Sequence, residues 1–345
     1  MSTVNTQQTL MYNEAAYSGE AARQQITQNR DAFAKIGEQL RQSPPRFAVT
    51  IGRGSSDHAA VYGRYLIETQ MGIITSPSAL SVNSVYNTPM KMEDALCLAI
   101  SQSGQSPDLV ATVKSLRASG AFALAFVNAP DSPLAGNADH TVRLCAGPEK
   151  SVAATKSFIT SMAAMLQLVA HWKQDAELLA QIERLPDLLE AAWELDWSAA
   201  LPTLEQASSL FVLGRGLGYG LSREAALKFK ETCCLHAESY SAAEVLHGPA
   251  ALIKDDYPIL AFVQNDETRP GFEKILKTIK GNGGAVFVAG LSNSEFTDLP
   301  SLDAHPVLQP ILMAQSFYKL VNATSVARGY NPDTPPNLSK VTETI

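Results

Sequence analysis

Phe47-Ala48-Val49-Thr50-Ile51-Gly52-Arg53-Gly54 is a short apolar run that stops on a Gly-Arg-Gly turn, and Leu210-Phe211-Val212-Leu213-Gly214-Arg215-Gly216 repeats it, Gly214 falling 162 positions after Gly52. A run of this length, bounded by glycine and leading into helix-compatible sequence, reads as a buried parallel strand. Further runs at 95–100, 122–127 and 141–145 follow the first copy, and runs at 258–263 and 285–289 follow the second. Strands alternating with helices build a parallel sheet covered on both faces. The restart of the pattern near residue 210 reads as an internal duplication, so the expected fold is α/β with two tandem doubly wound sheets.

Working outward, residues 8–43 place Leu10, Ala15, Ala22, Ile26, Phe33, Ile36 and Leu40 roughly on one helical face and end at Pro44-Pro45, which reads as a helical lead-in. The Ala- and Leu-rich stretch 151–201 reads as a helical connection with Pro186 and Pro202 as breaks. The expected division is a lead-in at 1–43, a first domain at 44–180, a linker at 181–203, a second domain at 204–330 and a tail at 331–345 that carries Lys340.

The chain of 345 residues is 46% hydrophobic and 18% charged, enough apolar material for two domain cores. A formal net charge of -7 excludes a protein that coats nucleic acid, which needs surplus Lys and Arg. An anionic ligand must be held by local devices. No apolar run has membrane-spanning length and the start is polar, so a cytoplasmic protein with no membrane partner is expected. Cys97, Cys145, Cys233 and Cys234 show no C-x-x-C spacing, so neither a disulfide framework nor a zinc site is expected. The histidines His58, His140, His171, His236 and His305 have no spacing that points to a metal.

In open parallel sheets, ligands bind beyond the carboxyl ends of the strands. Two loops there are Gly52-Arg53-Gly54-Ser55-Ser56 and Ser101-Gln102-Ser103-Gly104-Gln105-Ser106. Glycine lets backbone N–H groups approach an anion, serine hydroxyls donate to it, and the following helix presents its positive end. Either loop alone reads equally well as a turn with a helix cap; their occurrence after consecutive strands of one sheet points to a phosphate cradle. The matching loop of the second half, Gln264-Asn265-Asp266-Glu267-Thr268, is acidic and would repel phosphate. Arg53 has its counterpart Arg215 in that half, which favours a structural role for both.

With Gly54-Ser55-Ser56, Ser101-Gln102-Ser103-Gly104, Val152-Ala153-Ala154-Thr155-Lys156, Glu224 through Glu231, His236-Ala237-Glu238, Leu246-His247-Gly248-Pro249 and Asn337-Leu338-Ser339-Lys340, the chain resembles, over nearly its whole length, the isomerase portion of glucosamine-6-phosphate synthase and the SIS-type amino-sugar phosphate deaminases. The resemblance implies two flavodoxin-like SIS domains and an ordered C-terminal tail. It implies that Ser56, Ser101, Gln102, Ser103 and Ser106 hold a sugar phosphate, with Gly54, Val152 and Ser339 beside the sugar. It implies that Lys228 and Glu231 share a helix face, Glu231 moving protons between C1 and C2. It further implies that His247 assists ring opening from the neighbouring subunit of a homodimer, and that Lys340 meets the carbonyl or imine. Gln105 stands where the synthase has glutamate, and Ser106 where it has threonine.

The chemistry asks for these residue types on its own account. One base must take and return a proton, a role suited to a carboxylate shielded from water. Histidine exchanges protons near neutrality, and a carbonyl-directed lysine must be neutral to attack. The simpler readings are a Lys228–Glu231 surface pair worth roughly a few tenths of a kcal/mol and a solvated terminal lysine; the stiff segment Asn331-Pro332-Asp333-Thr334-Pro335-Pro336-Asn337 argues against the second. No cofactor is needed for this chemistry. The sequence up to Phe47 holds no counterpart of the synthase's amidotransferase domain, so the expected reaction is glucosamine-6-phosphate deamination. Galactosamine-6-phosphate deamination and fructosamine-6-phosphate deglycation are the neighbouring readings. A non-catalytic sugar-phosphate sensor is the competing class, for which residues 1–43 lack a basic helix-turn-helix.

Overall fold

The apolar runs become strands because they are largely buried, as in β1 (Phe47–Ile51), β3 (Ala95–Ser101), which is buried throughout, and β4 (Phe122–Val127). The short polar segments β2 (Thr75–Pro77) and β5 (His140–Arg143) complete an all-parallel sheet in the order β2-β1-β3-β4-β5. The second sheet repeats this plan. β6 (Ser209–Gly214), β7 (His236–Ser241), β8 (Tyr257–Phe262), β9 (Gly284–Ala289) and β10 (Thr297–Leu299) align, from the opposite end of the sheet, as β7-β6-β8-β9-β10. The first strand lies second from the edge in both sheets, so the duplication read from the two Gly-Arg-Gly turns is a duplication of topology. The computed structural model describes residues 5–293 and 295–340. Residues 341–345 of the expected tail lie outside the described residues.

The chain forms two compact units. The first-sheet unit holds residues 20–149 and 156–184. On one face of its sheet, Leu109, Val113 and Leu116 of helix Pro107–Ala118 pack with Cys97, Ala99, Ala123 and Ala125. Helix Ser55–Met71 packs against helix Lys156–Lys173, which is buried at nearly every position. The second-sheet unit holds the described residues of 5–19, 150–155 and 185–340. There Phe272, Leu276 and Ile279 of helix Arg269–Gly281 cover Phe211, Leu213, Ile259 and Ala261. Helix Tyr219–Cys233 packs on helix Gln309–Ala327, with Phe229 and Phe317 edge to face at 5.4 Å and Phe317 edge to face with Phe262 at 6.0 Å. Burying one such ring contributes roughly 1.5–3 kcal/mol.

Two proline readings are corrected. Pro186 lies inside helix Ala176–Glu194 and Pro202 sits in the first turn of helix Leu201–Gln206. Proline at a helix start gives up only an N–H that has no intrahelical partner, so Pro202 begins a helix rather than breaking one. Around Pro186, the buried residues Leu185, Leu189 and Ala192 hold the helix through tertiary packing.

Candidate active site

Two glycines set the backbone of the first-sheet loops. Gly54 adopts φ 52°, ψ −128° ahead of helix Ser55–Met71, and Gly104 adopts φ 62°. A Cβ on Gly104 would stand 2.1 Å from the Ser132 Oγ, so both the backbone conformation and the close approach require glycine there. Ser101, buried at the end of β3, accepts the Gly104 N–H at 3.0 Å through its Oγ, and the Ser103 Oγ accepts the Gln105 N–H at 3.3 Å. Ser106 is the N-cap of helix Pro107–Ala118 and makes no side-chain cap hydrogen bond. Ser56, Gln102, Ser103 and Ser106 are half-buried.

Arg53, in the first of these loops, has a structural partner. Its Nε and Nη2 donate to Asp108 Oδ2 at 3.0 and 2.8 Å, and the Asp108 side chain is fully buried in the first turn of helix Pro107–Ala118. A buried carboxylate needs such a partner. The structural reading of Arg53 follows from these contacts; Arg215 reaches with one guanidinium nitrogen to within 3.0 Å of where a Cβ on Gly271 would lie.

The matching loop of the second sheet is closed by its own carboxylate. Asp266 Oδ1 accepts from the Thr268 N–H at 2.9 Å and from the Thr268 hydroxyl at 2.5 Å, while Gln264 Nε2 donates to Asp266 Oδ2 at 3.0 Å and to the Arg215 carbonyl at 2.6 Å. This loop carries the Asp266 carboxylate where the first-sheet loops carry serines, and a carboxylate repels a phosphate.

Helix Tyr219–Cys233 carries the charged cluster. The Lys228 side chain is 1% exposed and lies 3.4 Å from the fully buried Glu224 carboxylate, while its ammonium donates to Glu231 Oε2. The surface-pair reading is thereby overturned, because burial changes the energetics. Desolvation opposes the Lys228 charge, but Glu224 and Glu231 outweigh it and push its pKa up to about 12. Tyr318 donates to Glu224 at 3.2 Å. Glu231, with 23% of its side chain exposed, is the member of the cluster that reaches solvent. Glu224 went unread in the sequence, although its i, i+4 spacing to Lys228 within the same motif was a usable signal.

The tail is held in place within this unit. Asp333 accepts the Leu10 and Met11 N–H groups at 2.7 and 2.8 Å, and Lys340 donates to the Ser151 carbonyl at 2.6 Å. Lys340 and Val152, expected beside one sugar, are thus brought together, with Ser339 exposed next to them. His247 is exposed in a turn whose next residue, Gly248, has φ 146°. Its backbone N–H donates to the Glu244 carbonyl at 2.9 Å. Among the described residues no group of three or more His, Cys, Asp or Glu is placed to hold a metal ion, and no helix is long and apolar enough to cross a membrane.

Residues 43–171 and 203–327 match the model of the SIS domain. A protein of Silicibacter pomeroyi DSS-3, described as a phosphosugar isomerase in its crystal structure, is 40% identical, with 94% of this chain and 100% of that one covered and a TM-score of 0.91. The C-terminal domain of glucosamine-fructose-6-phosphate aminotransferase from Francisella tularensis shares the fold, with TM-score 0.85 at 24% identity over 95% of this chain and 98% of that one. Among curated proteins, the isomerizing glutamine–fructose-6-phosphate aminotransferase of Aeropyrum pernix is 34% identical over 84% of this chain and 50% of its own length. The chain spans about half the length of the curated relatives it matches.

Proposed function

The chain belongs to the SIS-domain family, and from that premise we propose that it is an amino-sugar phosphate deaminase, converting glucosamine 6-phosphate and water to fructose 6-phosphate and ammonia. The observation that carries this reading is the Lys228 ammonium, buried beside Glu224 and Glu231, on a helix whose Glu231 carboxylate remains accessible. A pure binder has no use for a desolvated lysine that orients a carboxylate, since burying such a cluster is costly.

In this reading Ser56, Ser101, Gln102, Ser103 and Ser106 take the substrate phosphate, aided by the N-terminal ends of helices 55–71 and 107–118. Gly54, Val152 and Ser339 contact the sugar. His247, contributed by the neighbouring subunit of a homodimer, exchanges the proton needed to open the ring. Glu231 then takes the C2 proton and returns it to C1, which converts the amino aldehyde into the C2 imine. Lys228 neutralises and orients Glu231 throughout. Water adds at C2, the C–N bond breaks, and the nitrogen leaves as ammonia, so one water enters for each ammonia released. Lys340 meets the carbonyl or imine from the tail. The isomerisation and hydrolysis steps draw only on carboxylate, imidazole and amine groups that this chain provides.

The test is a coupled assay of ammonia and fructose 6-phosphate release, run in parallel on glucosamine 6-phosphate, galactosamine 6-phosphate and a fructosamine 6-phosphate. Release from the first alone supports the reading, and release from another reassigns the substrate. Sugar-phosphate binding with no release from any of the three moves the protein to the sensor class.

A further inference from the structure

The Ser151 backbone is held at both its N–H and its carbonyl. Its carbonyl accepts from Lys340 at 2.6 Å, and its N–H donates to Glu14 Oε2 at 3.2 Å, while the Lys150 N–H donates to Glu14 Oε1 at 2.5 Å. Glu14 lies on helix Leu10–Ala16, whose first N–H groups are capped by Asp333 of the same tail that carries Lys340. That helix is a firm mount: Met11 and Ala15 are fully buried and the Ala15 carbonyl accepts from Gln315 Nε2 at 2.9 Å. The lead-in helix, loop 150–155 and tail therefore close a ring of contacts inside one unit.

We propose that Glu14 is a positioning residue, whose two carboxylate oxygens fix the 150–151 backbone and, through the Ser151 carbonyl, the place of Lys340. Its consequence for turnover rests on the roles proposed above for Val152 and Lys340. The two N–H donors go to two separate oxygens of one side chain, which a carboxylate supplies and an amide, with one oxygen, does not. Glutamine would accept one N–H and turn its own N–H₂ toward the other. Aspartate keeps both acceptors on a shorter arm.

The experiment measures, in the full-length protein, amide hydrogen exchange at 150–151 and acetylation of Lys340 by an amine-reactive ester, together with kcat and KM on glucosamine 6-phosphate. It compares wild type, Glu14→Gln, Glu14→Asp and Asn13→Ala. The Asn13 side chain donates to the Gln7 and Thr9 carbonyls at the start of the same helix, so this variant controls for loss of the helix start. Glu14→Gln is expected to raise both exchange and Lys340 labelling roughly tenfold, the size of one charge-assisted hydrogen bond. It should also lower kcat roughly tenfold with KM within about twofold, Glu14→Asp recovering part of each and Asn13→Ala none of the change. Unchanged exchange and labelling in Glu14→Gln overturns the clasp. Freed Lys340 with undiminished kcat overturns the positioning role. The exchange and labelling arms need no substrate, so they decide the clasp even if the deaminase reading fails.

Discussion

Replacing Lys228 by methionine removes an ammonium from a cluster in which the Glu224 side chain is fully buried and that of Glu231 is 23% exposed. The rise of the Lys228 pKa from 10.5 to about 12 corresponds to roughly 2 kcal/mol of folded-state preference for the charged lysine. Deleting it also removes a charge that lies 3.4 Å from the buried Glu224 carboxylate, and breaking a buried pair from one side costs roughly 3–5 kcal/mol. The larger figure governs, because the buried carboxylate remains in place after the lysine has gone. Lys228→Met is therefore expected to lower the urea-unfolding midpoint by the equivalent of about 3 kcal/mol or more at neutral pH. Adding Glu224→Gln should recover a large part of the loss, since an amide needs no cation. The pH dependence has a definite sign. A lysine whose folded-state pKa is raised gives a contribution that is complete below its unfolded value of 10.5 and lost as pH climbs through about 12. The stability gap between wild type and Lys228→Met should thus be flat from about pH 7 to 10 and close above that. A single variant within about 0.5 kcal/mol of wild type, or a double variant no better than the single, would refute the claim that two carboxylates hold Lys228 charged in the core.

Gly104→Ala must place a methyl group 2.1 Å from the Ser132 Oγ at φ 62°, costing roughly 1–2 kcal/mol for the backbone alone; kinetics should show KM for the sugar phosphate rising at least about tenfold. Arg53→Ala strips the buried Asp108 of its cation and should cost about 1–3 kcal/mol in unfolding experiments, with KM nearly unchanged because Arg53 does not serve the phosphate. His247→Ala, at an exposed position, should leave stability within about 0.5 kcal/mol while lowering kcat by roughly 10²–10⁴. If His247 serves the neighbouring subunit, mixing inactive His247→Ala and Glu231→Gln chains in equal amounts should restore up to about a quarter of wild-type activity.

What could be read from the sequence follows the physics of each element. β1, β3, β4, β6, β8 and β9 are apolar runs because sheet neighbours and helices enclose them. β2, β7 and β10 passed unread because Thr75-Ser76-Pro77, His236-Ala237-Glu238-Ser239-Tyr240-Ser241 and Thr297-Asp298-Leu299 are too short or too polar to read as apolar runs, whereas the edge strand β5 was met through the run 141–145. The serine loops were legible through local glycine and serine chemistry. Glu14 was not, since its partners lie 136 and 137 residues away and no local pattern encodes such a contact. Gly104 could be read as part of a loop, but its requirement for glycine comes from Ser132, which only the folded chain brings near. Burial of Lys228 was equally hidden. An i, i+3 ion pair looks the same in sequence on a surface and in a core, and only packing against helix Gln309–Ala327 separates the two.

The most direct test of the account is to give purified protein glucosamine 6-phosphate and measure ammonia and fructose 6-phosphate together, for wild type and for Glu231→Gln of matched stability. The account predicts equal amounts of the two products from wild type and loss of both in the variant with substrate binding retained. Undiminished release from Glu231→Gln, or binding without release in wild type, would contradict it.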